Sequence, residues 1–299
     1  MSPFQNIALV GATGNLGSAI LTALRGTSFT LTVLTRKGSA TSKDTQGLGA
    51  KIIPVDYESK DSIAEGLEGV DAVICTIGSA GISLQINIID AAIAAGVKRF
   101  IPSEFGADSF NERASKLPVF KNKVAVQQHL QEAAKEDKIE WTAILGGPFL
   151  DWGLARGLLG IHPKEKKFIL YDGGVRPVST TLLADLGKAV VGVLENPSST
   201  RNRVLYIQSI RISQLEVLDI CEDLTGSEWQ RVQVQTADIE KQGLEKLGQK
   251  DMSGMFNLLL RAIFGEGYGC DFVGREENRL VKVNGLSHRE FVNLVKEQL

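Results

Sequence analysis

The sequence predicts an α/β fold, a doubly wound parallel sheet of Rossmann type followed by a smaller C-terminal α/β region. Three observations carry that reading. Short β-branched runs alternate with helix-length segments up to residue 145, a glycine-rich loop joins the first run to the first such segment, and the alternation loosens beyond residue 148. Residues 6–10, 30–34, 51–55, 72–77, 99–102 and 142–145 read as strands. Helical segments between them imply crossover connections, hence parallel strands with helices on both faces. Gly96 follows the Ile88, Ala92, Ala95 stripe and precedes Lys98-Arg99, which suits a helix stop before the fifth strand.

After Gly146-Gly147-Pro148 the elements are more mixed. A hairpin candidate ends at Tyr171-Asp172-Gly173-Gly174, residues 182–194 and 213–224 read as helices, and 204–207 as a strand. Residues 286–299 close the chain as a helix with Ser287 and Glu290 in the spacing of a capping box. The division therefore falls at residue 148: residues 1–148 form the nucleotide-binding domain, and 149–299 pack on it as the substrate-binding region without a long linker.

Composition narrows the function. The 299 residues carry 33 Lys+Arg against 35 Asp+Glu, leaving no excess positive charge for a nucleic acid or an anionic membrane surface. The uncharged stretch 72–89 is interrupted by Thr76, Gly78, Ser79, Gly81, Ser83, Gln85 and Asn87, and reads as a strand and a helix start, not a membrane span. Cys75, Cys221 and Cys270 lack paired spacing, which speaks against a disulfide scaffold or zinc site and for a reducing compartment. His129, His162 and His288 lack ligand spacing, so no metal is expected. The apolar run 7–10 breaks at once into glycine, so no signal peptide is read and the cytoplasm is the expected location. The oligomeric state stays open.

Gly11-Ala12-Thr13-Gly14-Asn15-Leu16-Gly17 follows a strand and opens a helix. Glycine permits the tight turn there and lets main-chain N–H groups approach a pyrophosphate. A carboxylate for the ribose hydroxyls of NAD is expected at the end of the second strand. The chain instead reads Leu34-Thr35-Arg36-Lys37, with the next acid at Asp44. Two cations at that point argue for NADP(H): Arg36 stacks on adenine and forks onto the 2′-phosphate, and Lys37 adds a second charge. Asp56, after the third strand, either borders the adenine or is a plain turn carboxylate.

The segment 118–135 reads as a helix, and Lys123 falls within its apolar face among Val119, Phe120 and Val126. A lysine there snorkels, pairs, or works with an altered proton affinity. The Tyr-x-x-x-Lys arrangement of classical short-chain dehydrogenases is absent: the residues four after Tyr57, Tyr171, Tyr206 and Tyr268 are Asp61, Val175, Ile210 and Phe272. Lys123 is thus the candidate for proton transfer, directly or through a water.

Four strings together resemble the NmrA-like branch of the atypical short-chain dehydrogenases, and within it the isoflavone reductase and phenylcoumaran benzylic ether reductase family. They are the glycine loop, Gln85-Ile86-Asn87-Ile88-Ile89-Asp90-Ala91, Val97-Lys98-Arg99-Phe100-Ile101-Pro102-Ser103-Glu104-Phe105-Gly106, and Phe120-Lys121-Asn122-Lys123. The resemblance implies an NADPH-dependent reductase in which Lys123 manages a proton while hydride goes to an electron-poor carbon of a small aromatic or unsaturated molecule, isoflavone- or phenylpropanoid-like. It places Thr76, Ile77 and Gly78, with Ser103, Glu104, Phe105 and Lys123, beside the ribose and nicotinamide, with Ser103 and Glu104 as loop-fixing or cofactor contacts and not catalytic acids. Plant members carry a Cys-Phe segment after the sixth strand, whereas this chain has Gly147-Pro148-Phe149-Leu150-Asp151-Trp152. Phe149 and Trp152 are candidates for an aromatic substrate wall or for core, with Phe264, Phe272 and Val273 as lesser contributors. The alternative to a reductase is a non-catalytic NADP-binding redox sensor of the NmrA type; an isomerase is weakened by the missing tyrosine.

Overall fold

The computed structural model describes residues 4–38 and 49–299. The first half runs β1 (Asn6–Val10), α1 (Asn15–Arg25), β2 (Thr30–Arg36), β3 (Lys51–Val55), α2 (Lys60–Gly66), β4 (Ala72–Cys75), α3 (Gln85–Ala94), β5 (Arg99–Ile101), α4 (Lys121–Lys135) and β6 (Glu140–Leu145). The second half runs α5 (Leu150–Ala155), β7 (Ile161–His162), β8 (Lys167–Tyr171), β9 (Pro177–Thr180), α6 (Leu183–Glu195), β10 (Arg203–Tyr206), β11 (Ile210–Ser213), α7 (Gln214–Thr225), β12 (Gln230–Val234), α8 (Thr236–Gly248), α9 (Gly254–Phe264) and α10 (His288–Lys296).

Seven parallel strands form the main sheet in the order β10-β6-β5-β4-β1-β2-β3. It is the doubly wound Rossmann-type sheet that the alternation predicts. Alternate residues of β1 feed different cores: Ile7 and Leu9 pack with α1 and α6 residues on one face, Ala8 and Val10 with α2, α3 and α4 residues on the other. The α1–α6 contact is close, because a methyl at Gly187 would stand 2.9 Å from the Ala19 carbonyl oxygen. The chain leaves β1 for β2 and β3, then returns past β1 to β4, so a crevice opens outside the carboxyl ends of β1 and β4.

The seventh strand comes from beyond residue 148: β10 pairs with β6, Val204 opposite Ala143. Apart from β10, α6 and residues 280–283, which join the main-sheet core, most of the second half has its own core. An antiparallel β9–β11 ribbon and a β12-β8-β7 sheet support α5 and α7 to α10. Ala107, Ala114, Leu117 and Phe120, from the connection between β5 and α4, are buried in that same core. The connection is thereby held between the main sheet and the C-terminal layer.

Several boundaries differ from the sequence reading. β2 runs two residues further, to Arg36, because it pairs with β3 as far as Val55. β4 stops at Cys75 and β5 at Ile101, leaving Thr76–Gly78 and Pro102–Phe105 as loops beyond the strand ends. Residues Pro118–Phe120 form a 3₁₀ turn, and α4 starts at Lys121. The capping boxes of Ser213 with Glu216 and Ser287 with Glu290 are both formed. Helices α8 and α9 and strands β9, β11 and β12 lie where the pattern was unresolved. No described helix is long and apolar enough to cross a membrane.

Candidate active site

The glycine loop is shaped by close contacts that only glycine permits. Gly11 has φ +85°, and a methyl there would stand 2.7 Å from the Thr76 hydroxyl and 2.9 Å from the Thr76 carbonyl. At Gly17 a methyl would lie 2.1 Å from the Gly11 carbonyl oxygen. Gly17 thus lets α1 start hard against the loop. Gly14 is the N-cap of α1 in extended conformation and offers no side-chain acceptor, so the first-turn N–H groups are uncapped by protein. Thr76 is fixed opposite, donating from N (2.9 Å) and Oγ1 (2.8 Å) to the Val10 carbonyl.

A cleft of about 560 Å³ occupies the crevice, and Gly11, Thr13, Gly14, Arg36, Thr76, Ile77 and Gly78 all line it. Asn15, Leu16 and Gly17 lie behind the lining as the first turn of α1. Lys37 is exposed next to Arg36, and its N–H donates to the Val55 carbonyl. Asp56 is in a turn, its carboxylate accepting from the Glu58 N–H at 3.0 Å, and does not line the cleft. Asp44 lies outside the described residues.

The cleft also contains residues that sequence reasoning missed. Tyr57 forms part of the wall and donates to the Leu34 carbonyl at 2.9 Å. Burial, aided by the Cys75 thiol and opposed by the Arg36 charge, holds its phenol above the ordinary tyrosine range. Thr35 lines the wall beside Arg36, and among the described residues its Oγ1 is the buried side-chain polar atom left without a hydrogen-bond partner. Ser79, Gly81 and Leu84 close the other side. The uncapped helix start, the glycine cradle, the unpaired hydroxyl and the Arg36-Lys37 pair fit a phosphorylated dinucleotide.

Lys123 stands one loop away from the cleft. Its Nζ donates to the Glu104 carbonyl at 2.6 Å and lies 3.3 Å from the Glu104 carboxylate. Of the three fates open to a lysine on that face, it pairs. Lys123 is 13% exposed and Glu104 1%, so water screens the pair little. Phe105, buried in the main-sheet core, takes φ +43° so that the Gly106 N–H can reach the same Glu104 carbonyl. Ser103 donates from Oγ to the Ile77 carbonyl and from N to Gln85 Oε1, each at 2.8 Å. The loop thus joins lysine and cleft, since Ile77 lines the latter.

Phe149 is the N-cap of α5, packed partly against the main-sheet core. Trp152 is 37% exposed, with the Arg156 guanidinium 5.9 Å from its ring centre. Phe264 stacks on Tyr171, Phe272 is buried edge-on to Tyr206, and Val273 is exposed.

Parallel sheet, switch-point crevice and glycine cradle define a Rossmann-type dinucleotide-binding protein. Residues 3–264 match the model of the NmrA-like family. The protein named Oxidoreductase aprR, from Aspergillus flavus, is 35% identical over 273 residues, covering 90% of this chain and 91% of that protein. Phenylcoumaran benzylic ether reductase PT1 from Pinus taeda is 31% identical over 220 residues, 70% of each chain. A solved structure described as AtPrR2 with NADP+ and (+)pinoresinol superposes over 100% of both chains with a TM-score of 0.81 at 22% identity. The chain belongs to the NmrA-like family, with isoflavone reductase-like relatives.

Proposed function

We propose that this protein is an NADPH-dependent reductase of a small aromatic or unsaturated molecule, isoflavone- or phenylpropanoid-like, in which Lys123 moves the proton. The observation that carries the reading is that Lys123, on α4, is bonded to the loop after β5 that also forms a hydrogen bond to the cleft wall. The relatives support it: one is named an oxidoreductase, another a phenylcoumaran benzylic ether reductase, and a structural neighbour is described with NADP+ and pinoresinol. NADPH, when bound, supplies the hydride. Gly11, Thr13 and Gly14, with the helix start at Asn15, Leu16 and Gly17, would hold the pyrophosphate; Arg36 and Lys37 would hold the 2′-phosphate. Thr76, Ile77 and Gly78, with Ser103 to Phe105, would border ribose and nicotinamide. Residues 149–299, with Phe149 and Trp152, would form the substrate side.

The test is NADPH oxidation against a panel of isoflavones, benzylic ethers, enones and quinones, with NADPH binding measured by calorimetry. Turnover that disappears in Lys123→Ala establishes the reading. Tight NADPH binding with no turnover across the panel replaces it with a redox sensor.

A further inference from the structure

Thr35 carries a hydroxyl that the fold itself does not use. Along β2, Val33 packs with Ala12 and α1 residues on one face of the sheet, and Leu34 packs with Val55 on the other. Successive side chains of a strand point to opposite faces, so Thr35 returns to the face of Val33, that of the glycine loop. It stands at the strand end where the crevice opens and lines the cleft beside Arg36.

Thr35 is 6% exposed, and among the described residues nothing bonds to its buried Oγ1. Its register partner on β3 is Pro54, which has no N–H to give. The neighbouring wall hydroxyls are engaged: Thr76 Oγ1 donates to the Val10 carbonyl at 2.8 Å and Tyr57 to the Leu34 carbonyl at 2.9 Å. A valine has the same branched shape, suits a strand equally and leaves no polar atom unpaired. Folding therefore gains nothing from the hydroxyl, and a ligand is the partner that remains for it.

The end of β2 is where a site built for NAD(H) carries a carboxylate to accept from the ribose hydroxyls. An ionised carboxylate only accepts hydrogen bonds and repels a phosphate, whereas a hydroxyl donates to a phosphate oxygen. We propose, resting on the NADP(H) reading of the cleft and independently of Lys123, that Thr35 is a specificity-determining residue: it occupies the carboxylate position and donates its hydroxyl to the 2′-phosphate of NADP(H). Arg36 and Lys37, both exposed, supply the charge at the open edge, and Thr35 selects from the buried side.

The test is calorimetric titration of the whole protein with 2′,5′-ADP and with 5′-AMP, fragments that differ only in the 2′-phosphate, alongside NADPH and NADH. Thr35→Val is expected to weaken 2′,5′-ADP and NADPH by about 10-fold or more, the loss of one hydrogen bond to a charged group, and to leave 5′-AMP and NADH within about twofold. Without ligand the same variant melts no lower than the parent, because an unpaired buried hydroxyl has been removed. Thr35→Ser keeps the hydroxyl and keeps the preference, and Thr35→Asp turns it toward NADH. A lower ligand-free melting temperature together with equal losses for the two fragments marks a structural threonine and overturns the proposal, as does no loss at all. Thr35→Ala serves if the valine variant does not fold. A parent that binds 2′,5′-ADP no better than 5′-AMP would instead remove the 2′-phosphate assignment itself, and the role of Thr35 with it.

Discussion

The Ser103 hydroxyl donates a 2.8 Å hydrogen bond to the Ile77 carbonyl, joining the loop after β5 to the exit of β4. Ile77 lines the cleft, and the residue after Ser103 holds Lys123. Ser103→Ala removes the donor and leaves that carbonyl short of a partner, a loss of about 1 kcal/mol in urea denaturation. The same variant is expected to lower kcat more than it weakens NADPH binding.

Lys123→Ala is expected to retain NADPH affinity by calorimetry and to lose turnover by about 10²-fold or more, the range for a positioned proton-transfer group. A variant with unchanged kcat on the panel takes the lysine out of the mechanism.

Arg36 is exposed at the cleft edge, with Lys37 beside it. Loss of a charge-assisted bond to a 2′-phosphate costs about 1.5–3 kcal/mol, so Arg36→Ala weakens NADPH by roughly 10- to 100-fold and leaves NADH nearly unchanged. Equal losses for the two cofactors would refute the phosphate assignment.

Gly17→Ala puts a methyl 2.1 Å from the Gly11 carbonyl oxygen, and the contact is with backbone that cannot swing aside. The loop must shift, so both NADPH and NADH binding fall together and the melting temperature drops. Gly38→Ala, where a methyl meets nothing within 4 Å, is the space-filling comparison, though its φ of +81° carries a strain of its own.

Arg99 opens β5 at the strand end opposite the cleft, with a fully buried side chain bonded to Glu140, Thr142, Thr200 and the Pro197 carbonyl. Arg99→Met strands the Thr142, Thr200 and Pro197 acceptors, while Glu140 keeps Arg201 as a partner, and is expected to cost about 1–3 kcal/mol. In whatever fraction stays folded, NADPH affinity is unchanged, which calorimetry at low temperature would check.

Arg211 on β11 grips Asp271 with two bonds of 2.7 Å. That pairing, opposed by burial, holds the Asp271 carboxyl below its ordinary range. A depressed folded-state value means the contribution is present above the unfolded value of about 3.9 and is lost as pH falls through the folded one. Both side chains are about a third exposed, so Asp271→Asn costs under about 1 kcal/mol at pH 7. The difference from the parent should shrink in melts as pH falls below the ordinary aspartate value of about 3.9.

Much of the fold was legible because its signals are local. Each main-sheet strand of the first half lies within two residues of its expected ends, since β-branched runs and glycine stops act over a few residues. Lys123 stood out for the same reason, as one cation inside a short helical stripe. Thr35 and Tyr57 did not, because a hydroxyl beside a cleft has no sequence signature until β2 and β3 are paired. Helices α8 and α9 were not assigned from the sequence; they pack on each other through Gly243 and Gly254, a close approach that only the tertiary structure shows.

The sequence by itself determined the class of sheet, the glycine loop, the cation pair at the end of β2 and the lysine on α4, all encoded in windows shorter than a helix. Only the tertiary structure decided that β10 returns to pair with β6 and that Lys123 meets Glu104, 19 positions away in the chain. Those choices rest on burial and pairing summed over distant segments, where no single residue's local preference carries the decision.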